Sequence, residues 1–181
     1  MAKAITRSRN PLCIGPRARF TVIHPNCIRI EDHPEGKFTD TPSLFASERK
    51  ARSTKFSVVE KNGAVLIDTG AIQLTYRPGN QPLGPKNLSA RIRHGKRWVN
   101  WKPGQTNQAN LGGTAETLDT WTGPRPLSDG LLSRDGWYLL NDSNTPILTN
   151  GWVRSRPTSG NDWYLFGYGT DFRSAFQAFS T

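Results

Sequence analysis

KFSVVEKNGAVLIDTGAIQLTY, Lys55 to Tyr76, decides the fold class of this chain. Apolar and polar residues trade places through Lys55 to Glu60, Ala64 to Asp68 and Ala71 to Tyr76. That is the period of a strand, whose successive side chains point to opposite faces. Between the first two segments stands Asn62-Gly63, a pair suited to the two-residue hairpin turn in which both central residues need positive φ. Asp68-Thr69-Gly70 supplies the next reversal. The region therefore reads as a meander of antiparallel strands.

The same alternation recurs on both sides of the meander. Upstream it appears in Arg19 to Ile23 and Cys27 to Ile30, separated by His24-Pro25-Asn26, where proline removes a donor from any ladder. Downstream, past a polar, proline-rich stretch from Arg77 to Lys86, it returns at Leu88 to Ile92 and Arg97 to Trp101. Further strands are expected at Gly136 to Leu140, near Pro146 to Leu148, and at Trp163 to Tyr168. The expected fold is all-β, an antiparallel β-sandwich. Residues 102–129 break the pattern and read as one long excursion, and compact domains seldom keep such a loop without a use for it. The ending DFRSAFQAFST differs again, with Phe172, Ala175, Phe176 and Phe179 on one face of a short helix capped by Asp171. Three phenylalanines on one side of a marginal helix need a surface to cover them.

At 181 residues the chain suffices for one domain with a real core. It has no apolar run near the roughly 20 residues of a membrane helix and no signal-peptide block, so a cytoplasmic location is expected. Cys13 and Cys27 are then expected as free thiols. With His24 and His33 they lack zinc-ligand spacing, and neither a metal nor a cofactor is expected. The formal charge of +10 divides as +5 over residues 1–52, +7 over 53–110 and −2 over 111–181. RIRHGKR, Arg91 to Arg97, followed by Trp98 and Trp101, is the best polyanion candidate. A solvated hairpin tip around His94-Gly95 explains it more simply, and nucleic acid is not the expected partner.

Seven carboxylates follow residue 110. Asp135, Asp142, Asp162 and Asp171 lie in or beside turns or at the helix start and read as structural. Glu116, Asp119 and Asp129 are left as candidate acids. No nucleophile elbow, P-loop, dinucleotide fingerprint or H-E-x-x-H is present. Among the six tryptophans, Trp98, Trp137, Trp152 and Trp163 suit a core, whereas Trp121 in the long loop suits packing on a sugar face.

Several strings, taken in order, resemble the N-terminal region of glycoside hydrolase family 31, the α-glucosidase and α-xylosidase family. They are RFTVIHPNCIRIE with KFTDTPS, then NLGGTAETLDTW, GLLSRDGWYLLNDS and DWYLFGYGTDFRSAFQAFS. The resemblance implies a galactose-mutarotase-like supersandwich over residues 19–168, after an N-terminal extension at 1–18. Residues 169–181 would begin the crossing into a (β/α)8 barrel. The family's catalytic aspartates lie on that barrel, so no residue of this chain is assigned a catalytic role. What the resemblance implies here is support of the barrel and a loop that shapes the site for an α-glucoside or α-xyloside. Asn110, Glu116, Asp119, Trp121 and Asp129 are the expected sugar-contacting residues. Two other classes stay open: a free-standing carbohydrate-binding module using Trp121, and a nucleic-acid binder using Arg91 to Arg97.

Overall fold

The computed structural model describes residues 3–5, 10–47, 49, 54–114, 122–156 and 160–180. They form a sandwich-like all-β fold with one short helix. The first sheet has six antiparallel strands: β1 (Lys3–Ile5), β5 (Ser57–Lys61), β6 (Ala64–Asp68), β7 (Ile72–Tyr76), β8 (Leu88–His94) and β9 (Arg97–Trp101), in that spatial order. The second has five, ordered β10 (Trp137–Asn141), β13 (Asn161–Gly167), β4 (Cys27–Asp32), β3 (Ala18–His24) and β2 (Leu12–Ile14). A small hairpin, β11 (Ile147–Thr149) with β12 (Trp152–Arg154), stands apart. Helix α1 spans Phe172–Phe179.

The meander forms as its pattern requires. Asn62 and Gly63 take φ of 52° and 70°, and Glu60 and Lys61 face Val65 and Ala64 across the turn. Period two then sends Val58, Val65, Ile67, Ile72, Leu74 and Tyr76 inward. From the other sheet Phe20, Val22, Ile28, Ile30 and Leu165 meet them, and Phe20 tilts against Tyr76 with ring centroids 5.2 Å apart. Trp101 and Trp137 close one end of this core edge to face, at 6.4 Å. Gly167 lets β13 lie against Ile72 and Ile92, because a Cβ there would stand 2.7 Å from the Ile72 side chain.

Within the first 18 residues, expected as an extension, β1 pairs with β5 and β2 with β3, one strand for each sheet. Both are three residues long, too short to show a period. Trp152, expected in the core, is 72% exposed on the small hairpin. Its Asn150-Gly151 turn, with φ of 51° and 79°, places it by local turn chemistry rather than by apolar burial. The helix buries Ala175 and Ala178, whereas Phe176 and Phe179 are 55% and 46% exposed. Small side chains let the helix approach the sheet closely, which turns Phe176 outward, while the half-exposed Phe179 ring stays 6.1 Å from that of Phe166 on β13.

Strands β3 and β4 also depart from expectation. Their alternation predicts half-burial, yet almost every position is buried. The outer face of the five-stranded sheet is covered in two halves. Helix α1 covers Ile23, Cys27, Phe166 and Tyr168, while the segment that follows β4 covers Arg19, Arg29 and Glu31.

Candidate functional site

The excursion between β9 and β10 begins with a rigid neck. Its two limbs join through Leu111 N–H to Leu132 O at 2.9 Å, Arg134 N–H to Ala109 O at 3.0 Å, and Gly113 N–H to Ser128 O at 2.6 Å. Asn110 stitches them further. Its Nδ2 donates to Gly130 O at 2.8 Å, and its Oδ1 accepts from Gly112 N–H at 2.9 Å and Gly130 N–H at 2.8 Å. Only glycine fits at 130, where a Cβ would come 2.3 Å from Gly112 O. Below the neck, Tyr168 Oη donates to Leu131 O and accepts from Ser133 N–H, both at 2.7 Å. Burial pushes that phenol up to about 12.

Of the five expected sugar-contacting residues, the structure brings Asn110 and Asp129 to this neck. The Asn110 amide is engaged in holding the two limbs, so its part in any site is positional. Asp129 is exposed beside it. Glu116, Asp119 and Trp121 lie outside the described residues.

A second constellation was not foreseen from the sequence. On the covered outer face, four arginines and four carboxylates form one array, buried except at Asp40. Arg29 grips Asp162 through Nε and Nη2, both at 2.9 Å, and also reaches Glu31 at 2.9 Å and Asp40 at 3.1 Å. Arg19 holds Glu31 at 2.6 and 2.8 Å and Asp40 at 2.7 Å. Arg49 and Arg156 each bridge Asp162 to Asp142: Arg49 lies 2.6 Å from Asp162 and is hydrogen-bonded to Asp142, and Arg156 stands 2.7 and 2.9 Å from the two. Ser43 Oγ donates to Asp142 at 3.0 Å, and Asp162 N–H donates to Ser143 Oγ at 2.9 Å. Four positive and four negative groups leave no net charge. Turn chemistry at Asp142 and Asp162 gives a structural role in the sequence, but no spacing rule predicts that residues as distant as Arg49 and Asp162 share a site.

Electrostatics in the array follow from its packing. Burial alone would raise the Asp162 carboxyl, but Arg29, Arg49 and Arg156 outweigh it and hold the group at about 2. At Glu31 burial wins over Arg19 and Arg29, and its pKa rises. Asp40, half in solvent, is held low because Arg19 and Arg29 overcome its smaller burial cost. The cleft beside the array, lined by Glu31, His33, Arg156 and Asp162, encloses about 20 Å³. That is room for about one water and for no sugar ring.

Among the described residues no group of His, Cys, Asp and Glu is arranged to hold a metal. Both thiols are free, Cys13 exposed and Cys27 buried, and burial pushes the Cys27 thiol far up. No helix of the described residues is long and apolar enough to cross a membrane. Neither a scan against known protein families nor a search of curated proteins finds a match to this chain.

Proposed function

We propose that this chain is the non-catalytic β-sandwich domain of an α-glucosidase-like, retaining α-glycoside hydrolase, of the galactose-mutarotase-like kind. In this reading it supports a (β/α)8 barrel that carries the catalytic aspartates. Its loop of residues 110–129 faces the barrel's sugar site, with Glu116, Asp119, Trp121 and Asp129 as contacts and Asn110 fixing the neck. The free thiols of Cys13 and Cys27 suit a reducing compartment, and the reading includes a cytoplasmic location.

The observation that carries this reading is the state of the carboxylates. Retaining glycosidases need two carboxyl groups roughly 5–5.5 Å apart, flanking an open sugar site. Asp142 and Asp162, drawn together by the shared guanidinium groups of Arg49 and Arg156, are both buried, and the cleft that Asp162 lines is too small for sugar. A chain whose paired acids are committed to arginines is suited to a scaffold. The exposed pair Phe45 and Phe179, edge to face at 5.4 Å, also supports it, because a barrel packed there would cover those rings.

The purified chain is expected not to hydrolyse p-nitrophenyl α-glucoside or α-xyloside. Turnover that Asp129→Asn abolishes would overturn the reading. Maltose binding by the chain alone, lost in Trp121→Ala, would instead favour a free-standing carbohydrate-binding module on the same fold.

A further inference from the structure

The charges of this protein are sorted between its two sheets. Every carboxylate of the buried array lies on or over the five-stranded sheet. From Thr69 to Thr114 the sequence holds no Asp or Glu and seven Lys or Arg. Among the described residues, none of those seven cations is in an ion pair, whereas Arg17, Arg19, Arg29, Arg49 and Arg156 are paired.

Strand pairing turns that run into a surface. In β8, Ala90 and Ile92 point into the core, so Arg91 and Arg93 project from the opposite face, and both are exposed. They stand about 7 Å apart at the usual strand rise. In β9 their cross-strand neighbours are Asn100 and Trp98. The turn after β8 adds exposed Lys96, Arg97 opens β9 exposed at the tip on the face of Val99 and Trp101, and Lys86 and Lys102 stand exposed near the other end of the hairpin. The result is a positive stripe along an edge hairpin, about 23 Å long at the same rise. The carboxylate nearest in register is Asp68, which is engaged with Gln73 Nε2 at 2.9 Å and Gly70 N–H at 2.8 Å. Asp171, which caps helix α1, borders a groove that Arg93 and Gly95 also line.

Polar side chains border the stripe on the same face. Gln73 lies opposite Arg91, and Thr75 opposite Ser89. Amides and hydroxyls of this kind donate and accept, as sugar hydroxyls require. Arginine forks match carboxylate and sulfate oxygens with two parallel hydrogen bonds. A single nucleic-acid strand needs, besides charge, aromatic faces on which successive bases stack. On β8 and β9 the one outward aromatic is Trp98, and the Arg91 guanidinium already lies over its ring, 5.1 Å from the centroid.

We propose that the outer face of the β8–β9 hairpin binds an anionic polysaccharide, through Arg91 and Arg93 with Lys96 and Arg97 at its tip, and with Asn100 and Gln73 flanking Arg91. This surface is distinct from the loop at 110–129 and goes beyond the scaffold reading. It stands or falls without it.

Titration of the full chain with polygalacturonate, with pullulan as a neutral glycan and with single-stranded poly-U, tests the proposal. Expected is polygalacturonate binding that weakens steadily with salt, at least about tenfold tighter than either control. Arg91→Gln/Arg93→Gln should weaken it about tenfold or more and lower the salt slope by about one for each cation removed. Lys96→Gln/Arg97→Gln at the hairpin tip gives a second readout if the first variant folds poorly, and Arg154→Gln, on the small hairpin, should change nothing. Absent binding, binding indifferent to salt, equal or tighter binding to pullulan or poly-U, or unchanged affinity in both double variants would overturn it. Failure here leaves the scaffold reading intact, since that is tested by turnover and by maltose.

Discussion

Arg29 and Asp162 lie 133 residues apart in the chain and meet as diagonal neighbours on adjacent strands, joined by two hydrogen bonds of 2.9 Å. Arg29 is fully buried and Asp162 nearly so. Asp162 also serves Arg49 and Arg156, so one carboxylate ties two strands of the sheet to the segments that cover it.

Removing that carboxylate's charge strands three guanidinium groups. Asp162→Asn is expected to cost about 3–5 kcal/mol, as for other broken buried pairs, measured as a lower urea midpoint at an unchanged slope. A loss under about 1 kcal/mol would mean that the array contributes little.

The same group sets an acid limit. The folded pKa of Asp162, about 2, lies below its ordinary value near 3.8. Its contribution is therefore fully present above pH 4 and is lost as pH falls from about 4 to 2. Glu31 acts in the opposite sense, because its folded pKa is raised and its share of stability fades as pH rises past 4.5. Melting temperature measured from pH 6 down to pH 2 should fall most steeply below 4. Asp162→Asn should flatten that fall.

Two glycines separate backbone freedom from space. Gly63 has φ +70° and nothing within 4 Å of an added Cβ, so Gly63→Ala should cost about 1–2 kcal/mol from the left-handed backbone alone. Gly130→Ala meets Gly112 backbone at 2.3 Å and must open the loop neck. Hydrogen exchange should show faster opening at Gly113 and Leu111 in Gly130→Ala, with the meander unaffected.

Asn110 distinguishes positioning from contact. Asn110→Ala removes three hydrogen bonds at the neck and should cost about 1–3 kcal/mol by thermal or urea unfolding. Asp129→Ala, at an exposed position, should stay within about 0.5 kcal/mol.

Helix α1 offers a matched pair. Ala175 is fully buried, and Ala175→Val should cost about 1–3 kcal/mol by overpacking. Phe176→Ser should leave the stability of the chain within about 0.5 kcal/mol, because its ring is more exposed than covered. A larger loss for Phe176→Ser would show that the ring already has its cover.

By itself the sequence determined the strands whose alternation runs for five residues or more, the Asn62-Gly63 hairpin, and the helix that Asp171 caps. Each is a local property, set by backbone dihedrals and by the period at which side chains change faces. Only the tertiary structure decided that β1 and β2 complete the sheet edges and that Trp152 is exposed while Ala175 is buried. It likewise decided that the polar faces of β3 and β4 lie beneath a cover. The arginine–carboxylate array is the clearest case, since its charges are drawn from positions 19 to 162. Each looks like an ordinary surface charge in the sequence, and burial became affordable only once folding had brought a counter-charge to every one.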